Sequence, residues 1–154
     1  MGDFRMIETN DGGDFVLIGA DLQMIDGFQN MPYIGLFGGN VESNTQQFLP
    51  TEQRFDFWGN NLLMLNNAAV QFNSNTERIL NQSALTSSAR LQIENAVKAD
   101  LDFFRSFATV SVAASITATD RIEINIRIVE LATQESTEFV YIWDSTEQEL
   151  ELIN

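Results

Sequence analysis

Thr109-Val-Ser-Val-Ala-Ala-Ser-Ile116, followed by Arg121-Ile-Glu-Ile-Asn-Ile-Arg-Ile128, decides the fold. In the first run Val110, Val112, Ala114, Ile116 and Ala118 stand at every second position, with small, mostly hydroxyl-bearing residues between them. In the second, Ile122, Ile124, Ile126 and Ile128 alternate with Arg121, Glu123, Asn125 and Arg127. A period of two places successive side chains on opposite faces of a strand. Thr119-Asp120 between the runs marks a tight turn, so residues 108–130 read as an antiparallel hairpin. Its isoleucine face points to the core, and its polar face is left for water or a partner. A third strand is expected from Glu138 to Trp143. Phe139, Tyr141 and Trp143 take one face and Val140 and Ile142 the other, which predicts a covered strand. Residues 108–143 thus form a three-strand meander. The acidic tail, 144–154, carries four acids and is expected to be loose or to dock as a short helix through Leu150, Leu152 and Ile153.

Upstream of the meander the period changes to that of a helix. Leu91, Glu94, Val97, Leu101 and Phe104 fall on one stripe, broadened by Ile93, Ala96 and Phe103, with Glu94 as its polar outlier. Thr86-Ser-Ser88 can cap this main helix, expected over 87–105. Ser74-Asn-Thr-Glu77 has the capping-box pattern and predicts a short helix through Gln82. Near the N-terminus, Phe4 to Ile7 and Asp14 to Ile18 read as strands joined by the turn Asn10-Asp-Gly-Gly13. Asp21 to Ile25 reads as a further extended piece, so 1–25 is an N-terminal hairpin region. The Asn-Asp-Gly-Gly-Asp cluster lacks the spacing and terminal glutamate of a calcium loop and reads as a turn. Phe28, Met31, Ile34 and Phe37 recur at helical spacing, with Asp26 as a candidate cap and Gly38-Gly39 as the stop. Pro32 argues against a regular helix that starts well before it. Residues 40–53 form a polar loop, either interacting or mobile. Phe55-Asp-Phe-Trp-Gly59 is an aromatic island, either core or binding hot spot, and Leu62 to Leu65 could be strand or short helix.

The chain has 154 residues and reads as one domain, 1–154, with neither an internal repeat nor a linker. A chain of this size can bury a core without staples. The net charge is −14 and is unevenly spread. Residues 1–53 hold eight acids against Arg5 alone, 54–107 are neutral, and 108–154 hold nine acids against two arginines. Such a field repels nucleic-acid phosphates and anionic lipids and suits a partner with a basic face. No apolar run reaches the length of a membrane span or of a signal peptide.

The chemical inventory is thin. Without cysteine there is no disulfide, thiolate nucleophile or cysteine metal site, and without histidine the usual general base near neutral pH is missing. There is no Gly-x-Ser-x-Gly elbow, no Ser-x-x-Lys dyad and no Gly-rich phosphate loop. A glycosidase needs two carboxylates set across a cleft. Asp56, between Phe55 and Phe57, is the best single candidate for a raised pKa. In an extended segment, however, it would share a face with Arg54, which would lower it. No catalytic, cofactor-binding or metal-binding residue is assigned.

The order of elements resembles the small baseplate wedge proteins of contractile-tailed phages, in their Mu-like branch; members of the wider group were once labelled lysozyme-like. The resemblance covers about residues 4–130. It rests on Gly19-Ala-Asp-Leu22 after the hairpin, Ile34-Gly-Leu-Phe37 on the next helix, and Phe57-Trp-Gly-Asn60 in place of a Trp-Trp-Gly-Asp-like motif. The amphipathic helix and the isoleucine-rich hairpin complete it. Phe57 and Asn60 depart from the motif, and basic residues are scarcer here. The resemblance implies a virion protein of the tail baseplate, present in the host cytoplasm during assembly. It would act by contacts with other baseplate or tail proteins, with no catalysis, cofactor, nucleic acid or membrane. The expected class is α+β: a mostly antiparallel sheet with an N-terminal hairpin and a C-terminal meander, packed by one long and several shorter helices. A lysozyme-like glycan hydrolase and a free-standing binding module are the alternatives.

Overall fold

A computed structural model describes residues 2–9, 12–26, 28–38, 73–147 and 149–153. The expectations for the 40–53 loop, the aromatic island with Asp56, and Leu62 to Leu65 lie outside the described residues. The fold is α+β with antiparallel sheets, as the alternation predicts.

The main sheet has four strands in the order β10-β9-β8-β7. These are β7 (Ala108–Ile116), β8 (Arg121–Glu130), β9 (Ser136–Asp144) and β10 (Glu149–Ile153). The register sets Ile124 opposite Ala114 on one side and Tyr141 on the other. Ile122, Ile124, Ile126 and Ile128 are all at most 1% exposed, so the isoleucine face is the core face. β10 corrects the expectation of a loose or helical tail. Leu150 and Leu152 recur with period two and pair opposite Trp143 and Tyr141, which extends the apolar face by one strand.

Among the described residues, three α-helices cover that face: α1 (Met31–Phe37), α2 (Thr76–Gln82) and α3 (Ser87–Asp100). Pro32 sits in the first turn of α1, where its missing N–H is not needed. The Thr86 hydroxyl caps α3 by accepting the Ala89 N–H at 3.1 Å. The α-helix stops at Asp100 rather than near 105, and the chain tightens into a 3-10 turn over Asp102–Ser106. That tightening buries Phe104 against Phe28 and Phe107, at ring separations of 5.7 and 5.3 Å. α3 is also rotated relative to its predicted stripe. Ala89, Ile93, Ala96 and Val97 are buried, whereas Leu91 is exposed.

The rotation explains Glu94. β7 is an edge strand, and its Ala114 N–H donates to Glu94 Oε1 at 3.0 Å. The Ala114 carbonyl accepts from Arg90 at 3.3 Å, and Arg90 pairs with Glu94 at 2.6 Å. The ion pair thus supplies one acceptor and one donor to an edge that has no neighbouring strand among the described residues.

The N-terminal region contains the expected hairpin and adds two further pairings to it. Six short strands, β1 (Gly2–Phe4), β2 (Met6–Thr9), β3 (Gly12–Phe15), β4 (Leu17–Ile18), β5 (Asp21–Leu22) and β6 (Met24–Asp26), form three two-stranded arms. The arms pair β2 with β3, β4 with β5, and β1 with β6. They meet in a closed ring of backbone hydrogen bonds. Arg5 N–H donates to Gln23, Gln23 N–H to Val16, and Val16 N–H to Arg5, at 2.8, 2.8 and 3.0 Å. The β2–β3 arm follows its turn signal, and Gly19 at φ +66° turns the β4–β5 arm. The β1–β6 pairing spans the whole region and has no local turn to announce it.

Candidate interaction surface

The junction sorts side chains by face. Alternation places Arg5, Val16 and Gln23 on one face and their six flanking residues on the other. Those six form the first cross-strand pair of each arm: Phe4 with Met24, Met6 with Phe15, and Leu17 with Leu22. Phe4 and Phe15 meet edge-to-face at 6.0 Å, which joins two of the arms. Met6 is half-buried, but Leu17 is 65% exposed, Met24 55%, Phe4 and Phe15 42% and Leu22 39%. Among the described residues, most of the exposed large apolar side chains lie in this region.

The junction meets the sheet on one side. Arg5, Met6 and Ile25 line a cleft of about 290 Å³ there, together with Asn30, Glu138 and Phe139. Asn30, at the start of α1, fastens the junction to the body. Its Oδ1 accepts the Met6 N–H at 3.1 Å, and its Nδ2 donates to Asp3 at 3.0 Å and to the Phe4 carbonyl. Asn30 is 5% exposed. Sequence reasoning gave the capping role to Asp26 and missed Asn30, because these bonds cross 24 to 27 residues.

Several carboxylates elsewhere are held by structural partners. Asp100 accepts from the Asn75 and Thr76 backbone N–H groups and from the Thr76 hydroxyl, which docks the start of α2 on the end of α3. Ser74 also donates to the Leu36 carbonyl and accepts the Glu77 N–H, so the predicted capping box forms from its serine side. Asp144 accepts from Arg121 at 3.0 Å and from two backbone N–H groups. Chiefly the Arg121 hydrogen bond, then those N–H groups, hold the Asp144 carboxyl below the usual carboxylate range. Burial alone pushes the Tyr141 phenol up. Among the described residues that line the cleft, Glu138 is the one carboxylate, and it faces Arg127 at 3.6 Å. No group of three or more potential metal-ligating acids occurs among the described residues.

The residues that carry the family resemblance do architectural work where they are described. Gly19 makes a turn, Leu36 and Phe37 are core, and Gly35 passes the 3-10 turn so closely that a Cβ would stand 3.0 Å from the Phe103 ring. No family model, curated protein or solved structure matches the chain.

Proposed function

We propose that the chain is a structural subunit of a contractile-tail baseplate that works by protein–protein contacts and carries out no catalysis. The observation that carries this reading is the concentration of exposed apolar side chains on the N-terminal arms, above a sheet and helices whose apolar faces are closed. An apolar surface of this kind on a water-facing unit marks a contact site. The sequence resemblance supplies the assembly: it points to the tail baseplate of the virion, with other tail proteins as neighbours and the host cytoplasm as the place of assembly. The architectural use of Gly19 and of Ile34 to Phe37 supports the same reading, since these positions serve shape rather than chemistry.

Single-particle imaging of tails purified from phage-producing cells tests it. The chain is expected as a stoichiometric baseplate component. Its absence from intact tails would overturn the assignment. Cleavage of peptidoglycan by the purified protein, lost in Asp56→Asn, would replace it with the hydrolase alternative.

A further inference from the structure

We propose that the face formed by Phe4, Phe15, Leu17, Leu22 and Met24 is the docking surface, and that its occupant is a different protein presenting an apolar ridge flanked by lysine or arginine. This assignment rests on the reading that the chain works by protein contacts. The first argument is shape. The five side chains ring a backbone junction closed by three hydrogen bonds, so the face is held from three directions and does not depend on one flexible hairpin. The second is charge. Residues 1–26 contain six acids and one base. That base, Arg5, lines the cleft on the body side. The unit that presents the apolar face therefore carries a net charge of −5. A second copy would bring the same excess of acids against itself, which disfavours self-association. An apolar ridge flanked by basic residues matches both the apolar face and the charge of the unit that carries it.

Two helical peptides of roughly five turns serve as probes, identical along a leucine stripe and differing only in flanking lysines or flanking glutamates. Binding to the full chain is read by fluorescence anisotropy at physiological salt. The lysine-flanked peptide is expected to bind at least about tenfold more tightly than the glutamate-flanked one. Leu17→Ser with Leu22→Ser is expected to weaken it by at least about tenfold. Leu91→Ser and Leu131→Ser, also at exposed leucines, should leave it unchanged. None of these substitutions alters the charge, so general attraction to an acidic protein affects all variants alike. Circular dichroism confirms that each variant keeps its fold. Equal binding of the two peptides, equal binding to the Leu17/Leu22 variant, or no binding of either peptide would overturn the proposal. So would dimerisation of the parent chain that Leu17→Ser abolishes, since the occupant would then be a second copy. Failure here with the chain present in tails would leave the baseplate reading intact and move its contact elsewhere. Success here with the chain absent from tails would do the reverse.

Discussion

β8 and the N-terminal arms are written in the same alternating pattern, and they end in opposite environments. In β8 every second side chain is an isoleucine sealed against helices and neighbouring strands. In the arms, Phe4, Phe15, Leu17, Leu22 and Met24 form an equally apolar face that remains open. Both regions obey the period of two, so alternation specifies that a face exists and leaves its cover to the rest of the molecule. Their construction also differs. β8 has nine paired positions with β7 and nine with β9. The arms pair over two to four positions each. A two-stranded arm of that length is marginal by itself. The N-terminal unit therefore depends on its junction and on Asn30, and the sheet depends on its core.

The sharpest way to break this comparison is truncation in the sheet. Ile124→Ala removes a fully buried side chain and should cost roughly 2–5 kcal/mol, measured by chemical denaturation. A melting temperature within a degree of the parent would show that the face does not carry the core.

Asn30→Ala tests the other half. It removes three hydrogen bonds at the base of the arms. The expected cost is about 1–3 kcal/mol. Its signature is regional: amide exchange should accelerate at Arg5, Val16 and Gln23, with the β8 amides less affected. Uniform acceleration would mean that arms and sheet open as one unit.

Leu17→Ala then gives the contrast with Ile124. At 65% exposure its loss should change stability by less than about 0.5 kcal/mol. A cost comparable to that of Ile124→Ala would show that Leu17 is a packed residue and would remove it from the open face.

The smallest effect is at the margin of the sheet, where Arg121 and Asp144 join β8 to β9. Asp144 titrates below the usual carboxylate range in the folded chain, so its contribution is present above its ordinary pKa and disappears as the pH falls through the folded value. Arg121→Gln should raise the Asp144 midpoint in an NMR titration. An unmoved midpoint would assign the shift to the Thr146 and Glu147 backbone N–H groups instead.

The sheet and main helix were legible because their signals are local and repeated. Four isoleucines at every second position leave one choice of face, and Thr86 caps a helix within its own turn. The features that escaped depend on distant partners. Glu94 looks like a flaw in an apolar stripe until Ala114 supplies the edge that it serves. Leu150 and Leu152 read as strand or helix until Trp143 and Tyr141 stand opposite them. The candidate surface was hidden for the same reason. Phe4, Leu17 and Met24 have the composition of an ordinary core, and the β1–β6 pairing that gathers them crosses the whole N-terminal region.

The triangular junction has a consequence for how this region can vary. Its three bonds use only main-chain groups, so no particular side chain is needed at Arg5, Val16 or Gln23 to close it. Each of the three donates its N–H, however, and proline has none to give. The constraint left in the sequence is thus a prohibition at three positions rather than a motif. Related chains could exchange nearly every residue around the junction and still build the same three arms, provided that proline never enters it.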